Sequence, residues 1–286
     1  MQTLQKSGTL YIVGTPIGNL EDISFRAVRI LKQVDAIAAE DTRHTGKLLH
    51  HFQIKKPQIS YHEHNQLQRI PEILERLHQG ATIALVTDAG MPGISDPGYE
   101  LVKACVKNGI TVVPIPGASA AITALSAAGL PTERFVFEGF LPVKGKERHQ
   151  RLEMLQSESR TIILYEAPHR LRATLQDLIN IFGGERQIVI ARELTKLHEE
   201  FWRGTIEKAL DYYSQREPQG EFTLIISGSP KIETPILSEE SIKSELIKLL
   251  KQGMSRSDAS RKIAEQTSLP RRQIYQLSLT INNQNL

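Results

Sequence analysis

Residues 83–98 read IALVTDAGMPGISDPG and carry the clearest structural signal in the chain. The first four of these residues are apolar, which is typical of a buried strand. The loop that follows contains three glycines, two prolines and two aspartates, a composition that a simple strand-to-helix connection does not require. A helix over residues 98–107 and a strand over residues 111–115 are predicted next. This order of strand, loop, helix and strand predicts an α/β layer with a largely parallel sheet.

The same alternation extends toward the N-terminus. Residues 10–13 predict a strand, and Ser24 caps the helix that follows it. Further strands are predicted at residues 36–39 and 59–61, and further helices at residues 45–52 and 66–78. We therefore expect a first α/β domain over residues 1–131.

A second α/β domain is predicted over residues 132–229, after the turn at Pro131 and Thr132. Its strands are expected at residues 135–137, 161–164, 188–191 and 222–226, and its helices at residues 147–156 and 170–181. A linker rich in turn-forming residues ends this domain.

The C-terminal tail, residues 238–286, is predicted to form three short helices. Apolar residues at helical spacing mark the first helix, Gly253 ends it, and Pro270 begins the last. The arrangement resembles a helix-turn-helix module, in which Arg271 and Arg272 occupy positions that meet nucleic acid. The alternative is a helical packing or dimerisation appendage.

Composition indicates a soluble intracellular protein. Of the 286 residues, 40% are hydrophobic and 23% are charged, as in ordinary globular chains. The single cysteine excludes an internal disulfide framework and suits a reducing compartment. The N-terminus has no apolar segment typical of a secretory signal, and the longest weakly polar stretch, residues 118–130, is shorter than a membrane span. We expect a cytoplasmic location and no membrane partner.

The positive charge is concentrated at one end. The net charge is +3, and Lys and Arg outnumber Asp and Glu by eight to five within residues 238–286. Such an excess predicts a polyanionic partner for the tail, with a solvated helical face as the alternative.

Three loops that follow strands carry the features of a ligand site: residues 14–20, 88–98 and 116–120. Open α/β sheets bind ligands at the carboxyl ends of their strands. The glycine spacing is not that of a dinucleotide fingerprint, and the chain has no phosphate-loop motif. Asp88 suits a ribose diol, and small residues beside it admit a flat base. Ordinary strand-to-helix turns are the alternative.

Taken together, several motifs resemble those of the tetrapyrrole methylase superfamily, in particular its 16S rRNA (cytidine-2′-O-)-methyltransferase branch. The resemblance covers essentially the whole chain. It is carried by residues 14–20 (GTPIGNL), 39–43 (AEDTR), 88–98 (DAGMPGISDPG), 116–120 (PGASA) and 165–170 (YEAPHR).

The resemblance implies two α/β domains with S-adenosyl-L-methionine folded in the cleft between them. It also implies 2′-O-methylation of a cytidine ribose in the decoding region of 16S rRNA, in naked rRNA or in the assembled small subunit, by a homodimer with no metal or second cofactor. By the same analogy, the residues that bind the cofactor are Pro16, Asp88, Ala89, Gly90, Ser119, Ala120, Tyr165 and Glu166.

Four residues are candidates for catalysis. Asp41 follows the second strand and could accept the proton of a ribose hydroxyl, with a helix N-cap as the alternative role. Arg43 could hold a substrate phosphate through a bidentate contact. Glu166 and His169 form a second polar cluster, in which an imidazole could accept a proton near neutral pH. A structural role is the alternative there too.

Basic residues predict where RNA would bind. The candidates are Arg43, Lys144, Lys146, Arg148, Arg151, Arg170, Arg271 and Arg272. Such contacts position RNA without reading its sequence. Two other functions remain open from the residues alone: a tetrapyrrole methyltransferase of the uroporphyrinogen or precorrin type, and a non-catalytic RNA-binding protein.

Overall fold

The computed structural model describes residues 8–230, 239–266 and 269–281. The chain divides into two compact units, residues 1–229 and residues 230–286. Within the described ranges, no helix is both long enough and apolar enough to cross a membrane.

The first sheet of the larger unit is parallel, as predicted. Its strands are β1 (Thr9–Val13), β2 (Ala36–Ala39), β3 (Gln58–Ser60), β4 (Thr82–Val86) and β5 (Thr111–Ile115), in the spatial order β3-β2-β4-β1-β5. The helices of this half are α1 (Phe25–Gln33), α2 (Thr42–His51), α3 (Gln66–His78), α4 (Tyr99–Lys107) and α5 (Ala120–Ala128). Separate clusters of buried apolar side chains lie around this sheet, which explains why its central strands are apolar throughout.

The second sheet is mixed. Its strands are β6 (Phe135–Phe140), β7 (Thr161–Glu166), β8 (Gln187–Arg192), β9 (Glu200–Thr205) and β10 (Phe222–Ile226), in the order β6-β7-β10-β8-β9. Only β6 and β7 pair in parallel. Helices α6 (Lys146–Gln156), α7 (Leu171–Phe182) and α8 (Ile206–Ser214) belong to this half. The sequence patterns missed β9 and α8, because β9 (EFWRGT) lies at a sheet edge and lacks a continuous apolar run.

Helix α5 follows the last strand of the first sheet and packs against the second sheet. Its small residues Ala121, Ala124 and Ala128 are buried with Ile163 and Ile225 of the second sheet. Most of the small-residue face of this helix therefore packs on protein.

The smaller unit contains the three helices predicted for the tail: α9 (Glu239–Lys251), α10 (Arg256–Gln266) and α11 (Arg271–Leu279). They share a core of their own that includes Ile242, Leu246, Ile263 and Ile274. Arg271 and Arg272 are exposed in the first turn of α11. This agrees with the predicted helix-turn-helix-like fold.

Candidate functional site

The three glycine-bearing loops of the first sheet meet at one place. Strand β1 lies between β4 and β5, so the loops after these strands are neighbours. Thr15 and Gly90 exchange two backbone hydrogen bonds of 2.9 and 3.1 Å. Gly14 and Gly117 approach so closely that a Cβ on either would lie 2.7 Å from the Cα of the other. Only glycine allows this contact.

The second sheet contacts the same loops. A Cβ on Gly139, at the irregularity in β6, would lie 2.9 Å from Oγ of Ser95. The Tyr165 hydroxyl on β7 accepts a hydrogen bond of 3.1 Å from the backbone N–H of Ala121. The loop after β4 and the start of α5 are therefore held against β6 and β7.

A cavity of about 420 Å³, here called the central cleft, lies where these elements meet. Six of the predicted cofactor-binding residues line it: Ala89, Gly90, Ser119, Ala120, Tyr165 and Glu166. Residues that the sequence reasoning did not single out also line it, among them Met91, Asp96, Phe140, Phe222 and Thr223. The other two predicted residues, Pro16 and Asp88, line an adjacent cavity instead. Largely apolar walls with a few convergent polar groups are typical of a small-molecule site.

Aromatic rings form one wall of the central cleft. The Tyr165 ring meets Phe137 and Phe140 edge to face, with centroid separations of 5.0 and 5.6 Å. Burial raises the pKa of Tyr165, so its hydroxyl stays protonated in the neutral range. These aromatic side chains provide apolar, polarisable surface for a ligand.

Asp96 is the carboxylate best suited to proton transfer. It lines both the central cleft and a neighbouring polar trough that includes Glu40, Glu63 and Tyr99. Burial, reinforced by the charges of Glu40 and Asp88, raises the pKa of Asp96 to about 7. A group with this pKa can take up and release a proton near neutral pH. The sequence marks this loop but does not distinguish this aspartate, whose only local signal is that it is the second carboxylate of the loop.

Asp41 and Arg43 pair with each other outside the central cleft. Asp41 is the N-cap of α2: its carboxylate accepts a 2.8 Å hydrogen bond from the backbone N–H of Arg43. It also accepts two bonds from the Arg43 guanidinium, of 3.1 and 2.7 Å. Hydrogen bonding to Arg43 lowers the pKa of Asp41, which makes this carboxylate a weak base. The N-cap alternative is the role observed, and the Arg43 side chain is 88% exposed.

Glu166 belongs to a buried network that supports the wall of the cleft. Its carboxylate accepts hydrogen bonds from the Thr174 hydroxyl and from the Ala167 N–H, and it lies 3.2 Å from Nε of Arg170. Arg148 is also buried, and it donates to Oγ1 of Thr174 at 2.8 Å and pairs with Asp177 at 2.8 Å. These partners indicate positioning rather than proton transfer for Glu166.

The other predicted polar residues are dispersed. His169 is exposed in the short 3₁₀ turn before α7 and does not line the central cleft. Arg151 pairs with Glu138 at 2.7 Å. Lys144 and Lys146 are exposed at the start of α6. In the described part of the chain, no His, Cys, Asp and Glu side chains group in a way that could hold a metal ion.

Comparison with known proteins agrees with this geometry. Residues 9–210 match the family described as tetrapyrrole (corrin/porphyrin) methylases. Among solved structures, uroporphyrin-III C-methyltransferase from Thermus thermophilus complexed with S-adenosyl homocysteine aligns with a TM-score of 0.54 at 19% identity, over 77% of this chain and 97% of that one. Diphthine synthase aligns with a TM-score of 0.61 at 14% identity, over 77% and 90%. These two likenesses support the fold.

Sequence relatives are much closer. Ribosomal RNA small subunit methyltransferase I of Synechocystis sp. is 59% identical over 96% of this chain and 98% of its own length. The protein of the same name from Halalkalibacterium halodurans is 50% identical over 96% of both chains. The chain therefore belongs to the tetrapyrrole methylase family and, within it, to the ribosomal RNA small subunit methyltransferase I group.

Proposed function

We propose that this protein transfers a methyl group from S-adenosyl-L-methionine to the ribose 2′-hydroxyl of a cytidine in the decoding region of 16S rRNA. The observation that carries the proposal is the identity of 59% and 50%, over nearly the full length, to two proteins named as methyltransferases of small-subunit rRNA. The convergence of three glycine-bearing loops on one cleft supports it independently, because such a cleft suits a nucleoside ligand.

The residues of the central cleft fit S-adenosyl-L-methionine. Gly90 and Ala89 present backbone groups, and Ser119 and Ala120 add small side chains at the opposite loop. The sulfonium of this cofactor is a cation, and the aromatic wall with Tyr165 favours a cation nearby. The bound cofactor supplies a methyl group on a positively charged sulfur.

The chain's own residues align the acceptor and receive its proton. Because methyl transfer is a displacement at carbon, most of the acceleration would come from cleft residues that hold the acceptor hydroxyl toward the cofactor. The bound cofactor would supply the methyl group and keep the electron pair of the broken carbon–sulfur bond. The hydroxyl proton passes to the Asp96 carboxylate, which lines the cleft and has a pKa of about 7.

RNA binding is assigned to basic residues that are exposed. Arg43, Lys144, Lys146, Arg271 and Arg272 are the proposed phosphate contacts. Arg148 is left out because it is buried, and Arg170 because its guanidinium contacts Glu166 and the Leu141 carbonyl oxygen. The proposal also includes a homodimer, a cytoplasmic location and the small ribosomal subunit or its rRNA as partner, as the family resemblance implies.

A methyl-transfer assay tests the function directly. The protein is incubated with cofactor labelled in the methyl group and with assembled small subunits, naked 16S rRNA or uroporphyrinogen. We expect label in RNA at a linkage resistant to alkaline hydrolysis, because a 2′-O-methyl group removes the attacking hydroxyl. Label in uroporphyrinogen alone would establish the tetrapyrrole alternative. The absence of cofactor binding in calorimetric titration would favour the non-catalytic RNA-binding alternative.

A further inference from the structure

A smaller cavity lies beside the central cleft, at the loops after β1 and β4 and the start of α2. It measures about 220 Å³ and is lined by Thr15, Pro16, Thr45, Thr87 and Asp88, with further side chains of α2. We call it the threonine pocket. The backbone bridge between Thr15 and Gly90 is its common boundary with the central cleft, since Gly90 lines one cavity and Thr15 the other.

Thr45 is a buried polar side chain of this pocket. Thr45 is only 2% exposed, and its Oγ1 has no hydrogen-bond partner in the described part of the chain. By contrast, Oγ1 of Thr15 donates to the Thr87 carbonyl oxygen at 3.0 Å, and Oγ1 of Thr87 donates to the Ala89 carbonyl oxygen at 3.5 Å. An unpaired buried hydroxyl is costly to the folded state, and a polar ligand atom in the pocket would remove that cost.

Asp88 adds an acceptor of defined position. Its Oδ1 accepts a 3.3 Å hydrogen bond from the backbone N–H of Asp41, which orients the carboxylate at the end of β4. Among the described residues, no hydrogen bond to Oδ2 of Asp88 is made. The pocket therefore offers one negatively charged acceptor and one hydroxyl that can donate or accept.

Basic side chains of α2 line or adjoin the same pocket. His44 and Lys47 line the pocket and are exposed, and Arg43 lies next to them at the N-terminal end of the same helix. Exposed lysine and arginine side chains near the start of a helix suit the phosphates of a nucleotide chain. The ligand indicated is thus a nucleotide base whose flanking phosphates stay outside.

We propose that the threonine pocket binds the base of the cytidine that is methylated, with Asp88 accepting from the N4 amino group and the Thr45 hydroxyl donating to N3 or O2. Cytosine offers a donor at N4, whereas uracil has an acceptor at that position, which a carboxylate repels. Enzymes that modify nucleotides take the base out of its stack and read its pairing edge in such pockets. This inference rests on the proposed function, and it adds a residue-level basis for the choice of base.

The test uses the full-length protein and 16S rRNA in which the methylated cytidine is kept or replaced by uridine. For the wild type, we expect kcat/KM to favour cytidine by roughly 10- to 100-fold, as one good base contact provides. Asp88→Asn, whose amide can donate to uracil O4, should reduce this ratio to within about threefold of unity. Thr45→Val keeps the shape of the side chain, and it should raise KM for cytidine RNA about tenfold while the Kd for S-adenosyl-L-methionine stays unchanged.

Thr111→Val is the matched control, because Thr111 is exposed at the N-terminal end of β5, away from the carboxyl ends of the strands, and lines neither cavity. Thr111→Val should leave KM for cytidine RNA and Kd for S-adenosyl-L-methionine unchanged. If wild-type protein methylates neither RNA, the proposed function is wrong. If RNA is methylated but the cytidine preference survives Asp88→Asn, or Thr45→Val leaves KM unaltered, the pocket assignment alone is wrong. Should Asp88→Asn fail to fold, Thr45→Val decides.

Discussion

Replacing Asp96 with asparagine should make the protein more stable and much less active. Asn is nearly isosteric with Asp and stays neutral, so Asp96→Asn resembles the protonated form of the carboxyl. The folded protein holds the Asp96 proton more tightly than the unfolded chain does, because burial and the charges of Glu40 and Asp88 raise the pKa from 3.8 to about 7. The stability that comes from this proton is complete below pH 4 and is lost as the pH rises through 7.

The size of the effect follows from the shift. One pKa unit corresponds to about 1.4 kcal/mol, so the shift to about 7 sets an upper limit of about 4 kcal/mol. Asp96 is half-buried and borders an open trough, and solvent screening therefore reduces the effect. We expect the stability advantage of Asp96→Asn to grow by about 2 kcal/mol between pH 5 and pH 8.5.

Urea denaturation followed by circular dichroism across this pH range measures the advantage. Glu63→Gln is the control, because Glu63 lines the same trough but is exposed. In parallel, the methyl-transfer rate of Asp96→Asn should fall by about 100-fold or more, as loss of a proton acceptor predicts, with cofactor affinity within threefold of wild type.

Two results would refute this reasoning. Parallel stability profiles for wild type and Asp96→Asn would show that the carboxyl has no raised pKa. A methyl-transfer rate retained within threefold would show that Asp96 does not accept the proton, whatever its pKa. A gain in stability together with a loss of rate is the expected signature of a residue kept for function.

Two further predictions concern the loops and the tail. Gly117→Ala places a methyl group 2.7 Å from Cα of Gly14, so the two loops must separate, and cofactor affinity should fall at least tenfold in calorimetry. Gly46→Ala is the control, because its Cβ would meet nothing closer than 3.7 Å. Equal cofactor affinities for the two variants would contradict this prediction. Replacing Arg271 and Arg272 with alanine should weaken rRNA binding and lower the slope of log K against log salt by about 2, with cofactor binding unchanged, whereas an unaltered slope would remove the tail from the RNA interface.

Much of the fold could be predicted because its signals are local. Apolar runs such as residues 83–86 and helical spacing in the tail depend on residues close in sequence, and the corresponding strands and helices are present. Strand β9 was missed because an edge strand such as Glu200–Thr205 needs no continuous apolar run. Six of the eight predicted cofactor residues line the central cleft because strand order brings their loops together.

Roles of charged side chains depended on the tertiary structure. The sequence favoured Asp41 as a base and Arg148 as an RNA contact, yet one is neutralised by its neighbour Arg43 and the other is buried against Thr174. Asp96 acquires its proton affinity from burial and from Glu40, which is distant in the chain. Apolar periodicity and turn-forming residues are signals that depend only on residues close together in the sequence. The sequence alone therefore determines the layered fold and its ligand-binding edge. Protonation state and accessibility depend on which groups become neighbours in space, and these only the folded chain decides.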